Sequence, residues 1–388
     1  MSAGSNALLE RVRAMDVQRL RAQEFPVTEN WRFFNHAATS PLSRRAAAAM
    51  EKQIHEQLAL GSVGNDIWTP EREQTRALVA RFINADPSEI AFIRNTAEGI
   101  SFVANGLRWR AGDNVVATNA EYPANIYPWL NLAEQGVLVK LIQEKDGRIF
   151  LEDLDKAIDT RTRVVAISFV EFSSGFMNDL VTLGQLCRER GVLYVVDVIQ
   201  GLGGFPVDVQ QAQIDVLACG GQKWLLGPRG CGIFYCSRRA MEHIRVTVVG
   251  ASSVIDEENY LDYNLTFKPD ASRFEYGTHN TVGIAGLRGA LELFLEVGPE
   301  NVARQILTLT DHFCERVTDK GYTLFSSRRP GEKSGIVSFY KKGLESARIA
   351  AQLQRQHFVL SVRDGRLRLS PHFYNTVEEI DALLEALP

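Results

Sequence analysis

An acid and a lysine, each standing just past an apolar run, are the residues whose types and spacing invite chemistry. Asp197 closes the run Val192 to Val196, and Lys223 follows the run Ile214 to Cys219 after two glycines and a glutamine. Short apolar runs bounded by glycine and proline read as buried strands. Open α/β sheets place their chemistry in the crevice beyond the strand ends. An amine and a carboxylate delivered there suit pyridoxal 5'-phosphate, which takes a lysine as a Schiff base and an acid against its pyridinium nitrogen. The acid keeps that nitrogen protonated, so the ring accepts electrons. The lysine holds the cofactor, is displaced by the substrate amine and then moves protons at the α-carbon. Taken alone, the lysine also reads as a surface residue after a strand and the acid as a turn cap.

Further candidates stand at the ends of other runs. Thr96 lies in a strand–turn–helix segment near the helix start, where backbone N–H groups and a hydroxyl make an anion site for the cofactor phosphate. Tyr122 lies just past a strand, where a ring stacks on a flat cofactor. Residues 171–175 (EFSSG) form another strand-end loop. Thr278 and Asn280 precede a helix as cap or anion groups, and His36 sits among small residues as a candidate to face substrate.

The elements that must position these residues alternate. Strands are expected at 90–94, 113–118, 137–142, 163–169 and before Asp197, with helices at 43–60, 71–83, 101–107, 126–135, 151–159 and 180–190. Alternation at this spacing predicts a mostly parallel sheet with helices on both faces. Residues 250–272 read as a long exposed loop, and a helix from 282 to 297 leads into a smaller α+β layer. That layer includes strands at 322–325 and 335–340 and a strand pair at 359–362 with 366–370. Leu8, Leu9, Val12, Met15 and Leu20 form a loose helical stripe. The expected division is an N-terminal helical segment over 1–30, a large cofactor-binding domain over 31–285 and a small C-terminal domain over 286–388.

Composition narrows the function classes. With 388 residues, 45% apolar and 23% charged, the chain is of globular type. A net charge of −4 gives no footprint for nucleic acid. No run approaches a membrane span, and the start lacks a secretory core. Five cysteines without metal-type pairing predict reduced thiols, a cytoplasmic location and no metal site. A nicotinamide-type fingerprint fails: Gly201 to Gly204 (GLGG) is followed by Pro206 where a glycine is required.

Five motifs together resemble the class V aminotransferases, pyridoxal-phosphate enzymes of fold type I that include cysteine desulfurases, C–S lyases and isopenicillin N epimerase. They are residues 94–99 (RNTAEG), 121–125 (EYPAN), 197–200 (DVIQ), 221–230 (GQKWLLGPRG) and 273–278 (RFEYGT). The resemblance implies that Lys223 carries the Schiff base, Asp197 pairs with the ring nitrogen and Gln200 bonds the ring hydroxyl. It further implies that Tyr122 stacks on the ring, that Thr96 and Ala97 belong to the phosphate loop, that Gln222 meets the cofactor as a hydrogen-bond donor and acceptor, and that Thr278 reaches the neighbouring active site of a homodimer. Arg368 would grip the α-carboxylate of a small amino acid or amine substrate by a two-pronged hydrogen bond.

Departures from the family pattern accompany this. Phe172 stands where many members have an asparagine, Gly220 where desulfurases have a serine, and Gln222 in place of a histidine. Residues 361–368 (SVRDGRLR) contain no cysteine where desulfurases carry a nucleophile. The expectation is therefore an aminotransferase-like or C–S lyase-like enzyme, not a persulfide-forming desulfurase, with an amino-acid epimerase as the alternative.

Overall fold

The computed structural model describes residues 16–388. The N-terminal helix is described from Val17 to Glu24; the part of the predicted stripe from Leu8 to Met15 lies outside the described residues. The strands are β1 (Arg32–Phe33), β2 (Ile90–Ile93), β3 (Asn114–Thr118), β4 (Leu138–Ile142), β5 (Thr162–Ser168), β6 (Leu193–Asp197), β7 (Val216–Gly220) and β8 (Gly232–Cys236). The later ones are β9 (Thr323–Leu324), β10 (Val337–Tyr340), β11 (Phe358–Val359), β12 (Ser361–Arg363) and β13 (Arg366–Leu369).

Seven strands form the central sheet in the order β2-β8-β7-β6-β5-β3-β4. Only β8 runs against the others. β3, β6, β7 and β8 are buried along their whole length, as expected for strands covered on both faces. The α/β class and the mostly parallel sheet thus follow the sequence pattern. A smaller antiparallel sheet, β12-β13-β10-β9, carries the C-terminal part, and β1 pairs in parallel with β11.

Two packing contacts set the site. Helix Thr96–Gly106 lies so close to β7 that a Cβ on Gly99 would stand 2.9 Å from the Ala218 methyl. Trp224, directly after the candidate lysine, is fully buried. Its indole N–H donates to Gln200 Oε1 at 3.1 Å, and its carbonyl bonds the His372 ring at 3.0 Å.

Three local expectations differ. Helix Asn65–Ile83 begins earlier than residue 71 and runs through Pro70. The helix expected at 126–135 is a single turn, Tyr127–Leu130, flanked by short 3-10 turns. Pro123 and Pro128 lack the N–H groups that a longer helix needs. The strand expected over 359–362 is split between two sheets, β11 pairing with β1 and β12 with β13.

Candidate active site

Asp197 is the last residue of β6, paired with Ala218 on β7 and Ser168 on β5. Lys223 lies three residues beyond the end of β7, so the adjacent strand ends deliver both groups to one edge of the sheet. The Asp197 carboxylate is 2% exposed and accepts the Ile199 N–H at 2.9 Å. Burial raises it to about 6, against the pull of that N–H and of Lys223. Burial lowers the Lys223 amine to about 8, with Asp197 working the other way. Roughly one amine in ten is then unprotonated at pH 7, against about one in three thousand for an ordinary lysine.

Tyr122 and Phe172 wall the same space. The Lys223 Nζ stands 5.4 Å from the centre of the Tyr122 ring, which meets Phe172 edge-on at 5.3 Å. The Phe172 carbonyl accepts from Arg368 Nη1 at 2.7 Å. Arg368 is 1% exposed, and its Nε donates to Ser361 at 3.1 Å. No acid pairs with it among the described residues, and its Nη2 is buried without a partner. Burial, and then the charge of Arg363, lower this guanidinium to about 9. A cation buried without an anion is costly, so it is a place prepared for one.

On the opposite side, Thr96 opens helix Thr96–Gly106, with Asn95 rather than Thr96 as the cap. The Thr96 hydroxyl accepts the Gly220 N–H at 3.1 Å, tying the helix start to the end of β7. Ala97 is the second helical residue. Gln200 uses its Oε1 on Trp224 and one Nε2–H on the Ala37 carbonyl at 3.1 Å, which leaves one N–H free. Gln222 Oε1 is buried without a partner. A Cβ at Gly220 would fall 2.5 Å from it, so the glycine and the glutamine belong together.

A family model described as aminotransferase class-V matches residues 32–383. The chain belongs to this family. A probable cysteine desulfurase of Methanothermobacter thermautotrophicus is 30% identical over 97% of this chain and 98% of its own length. A cysteine desulfurase of Salmonella agona is 31% identical over 90% of this chain and 88% of its own. The apo structure of a cysteine desulfurase from Thermococcus onnurineus superposes with a TM-score of 0.87 at 26% identity, over 95% of this chain and 96% of that one.

The class V chain is thus a pyridoxal-phosphate-dependent enzyme of fold type I. The residues fit the cofactor: the Lys223 amine makes no hydrogen bond or ion pair among the described residues, Asp197 lies at the next strand end, and Gln222 keeps an unpartnered polar atom. One expectation is corrected. A desulfurase was excluded in favour of an aminotransferase-like, C–S lyase-like or epimerase activity, yet relatives matching nearly the whole chain are named cysteine desulfurases. A missing cysteine in one short loop bears on which thiol takes the sulfur. It does not bear on whether the bond is broken.

Two of the predicted site residues are not brought to the Lys223 side. His36 is fully buried, with Nδ1 on the Ser370 carbonyl and Nε2 on the Tyr374 hydroxyl, both at 2.8 Å. Both ring nitrogens are spent, and burial holds the imidazole well below its usual range. Thr278 is exposed and lines a cleft with Arg94, Glu98, Tyr276 and Gly230.

Two acids of the class V site escape a sequence reading. Glu121 accepts from Ser168 N–H and hydroxyl at 2.7 and 2.6 Å and from Asn125 at 2.9 Å. Among the described residues the Glu171 carboxyl accepts only from Asn178, at 3.0 Å, and its Oε2 is buried without a partner. Burial, reinforced by Glu121, holds the Glu171 carboxyl well above the usual range. The signal was their place beside Tyr122 and Phe172. Because the folded state keeps a proton that the unfolded chain loses, Glu171 costs stability progressively as pH rises above the ordinary glutamate range. Glu171→Gln is expected to match the wild-type melting temperature near pH 5 and exceed it by several degrees at pH 8. A difference that does not grow with pH in thermal melts would show an ionised, paired carboxylate.

Proposed function

We propose that this enzyme cleaves the C–S bond of L-cysteine or a close relative and passes the sulfur to a thiol. The sulfur chemistry is supported by the names of its full-length relatives. The observation that carries the amino-acid reading is Arg368, a buried guanidinium with no acid and one free nitrogen, suited to a two-pronged grip on an α-carboxylate.

When bound, the cofactor draws electrons away from the substrate α-carbon. Lys223 holds it and, once displaced, takes the proton from Cα and returns one to Cβ. Asp197 holds the proton on the ring nitrogen, and Tyr122 covers one ring face. The free Gln200 N–H serves the ring hydroxyl. Thr96, Ala97 and Gln222 serve the phosphate at the helix start. An acceptor thiolate attacks the substrate sulfur and forms the S–S bond. The C–S electron pair stays on Cβ, where the proton lost by the acceptor thiol arrives through Lys223; Lys223 then returns a proton to Cα, and alanine leaves. All five cysteines of the chain are buried, and burial pushes their thiols up. The acceptor thiol therefore comes from outside the chain, in a reducing compartment such as the cytoplasm. A second copy supplies Thr278. The exposed Tyr260, Leu261, Tyr263 and Leu265, from 67% to 92% accessible, favour such a homodimer.

Holoenzyme incubated with L-cysteine and excess dithiothreitol should release alanine and sulfide in equal amounts. Pyruvate and ammonia in place of alanine, or no product at all, would overturn this function.

A further inference from the structure

Both ends of the Gln200 carboxamide are held, and each holder is held in turn. Oε1 accepts the Trp224 indole N–H at 3.1 Å, and Nε2 donates to the Ala37 carbonyl at 3.1 Å. Behind each partner stands a residue just past β13. The Ala37 N–H donates to the Ser370 hydroxyl at 3.1 Å, and the Trp224 carbonyl bonds His372 Nε2 at 3.0 Å.

Trp224 has one place to sit. A Cβ on Gly203 would stand 2.2 Å from its carbonyl oxygen, and one on Gly335 would stand 2.3 Å from its ring. Interiors packed this closely leave a side chain no second position. The His372 ring is confined as well, between Trp224 at 5.5 Å, Phe294 at 5.9 Å and His36, edge-on at 5.1 Å. Its tautomer follows from its bonds. Nδ1 accepts the Phe373 N–H at 2.9 Å, so the proton of the neutral ring stands on Nε2 and is donated to the Trp224 carbonyl. Burial lowers this imidazole to about 4, which keeps it neutral near pH 7. Burying these polar groups carries a desolvation cost that an apolar side chain at 372 would avoid. What the imidazole adds is direction.

We propose that His372 is a positioning residue for the cofactor: by holding the Trp224 carbonyl it fixes the indole that aims the free Gln200 N–H at the ring hydroxyl. This rests on the assignment of Gln200 to that hydroxyl. The same bond ties the Lys223–Trp224 turn to the segment that follows Arg368, so the cofactor and the carboxylate grip keep one register.

The visible band of the bound cofactor reads this without turnover. A hydrogen bond to the ring oxygen favours its anionic form, so losing that bond raises the pH at which the band changes. Gln200→Leu should move the midpoint up by about half a pH unit or more, the worth of one hydrogen bond. His372→Phe keeps a ring and loses the donor, and Trp224→Phe keeps the carbonyl and loses the indole N–H. Each should move the midpoint in the same direction and weaken cofactor binding by about threefold or more. Combined with Gln200→Leu, His372→Phe should add no further shift, because both act on one bond. His372→Gln keeps an N–H donor and should stay near wild type. An unmoved midpoint in His372→Phe, additive shifts in the double variant, or a His372→Gln protein shifted as far as Trp224→Phe overturns the role of His372. An unmoved midpoint in Gln200→Leu overturns the Gln200 assignment instead.

Discussion

Lys223→Ala should lower turnover of L-cysteine by about a thousandfold or more and remove the borohydride-sensitive visible band of the purified protein. The amine is asked to hold the cofactor and to move protons at two carbons. General acid–base work of this kind contributes about 10²–10⁴-fold, and covalent anchoring adds to it without simple additivity. The amine already sits near pH-neutral titration, at about 8, because burial disfavours its charge. Labelling the wild type by borohydride reduction should place the adduct on residue 223. A variant that keeps a reducible band and turnover within tenfold would show that another amine does this work.

Arg368→Ala should raise the KM for the amino acid about a hundredfold, with a smaller change in kcat. Removing one partner of a buried charge pair costs about 2–5 kcal/mol, and the grip acts before and during the reaction alike. Stability should move the other way. In the free protein this guanidinium is 1% exposed and forms no ion pair among the described residues, so its removal takes away a desolvation penalty. An unchanged or higher melting temperature alongside the raised KM separates a binding role from a packing role. Arg368→Lys should recover little, since an ammonium lacks the planar fork. A KM within a few-fold of wild type would sink the assignment.

The fold was legible to a large extent, for local reasons. Asp197 and Lys223 stood out because each followed an apolar run, and β6 and β7 are those runs. The loop over 171–175 was recognised as a strand end, yet the weight it carries was not. Its Phe172 carbonyl holds Arg368, 196 residues away. His36 shows the converse. Small neighbours made it a candidate for substrate, while Ser370 and Tyr374, 334 and 338 residues later, occupy its two nitrogens. The excluded desulfurase was an inference from a cysteine-free loop of eight residues and single departures at Phe172, Gly220 and Gln222, too narrow a base against similarity along 97% of the chain.

By itself, the sequence determined the order of strands and helices and which side chains stand at strand ends. Periodicity and chain-breaking residues act over a few positions, and those are read directly from neighbours. Only the tertiary structure decided which polar atoms are already spent and which are left free. Hydrogen-bond partners of buried groups come from hundreds of residues away, and a buried group without one is visible only once the packing around it is known. Arg368, Gln222 and Glu171 became informative in that way. Each keeps an atom with no partner among the described residues.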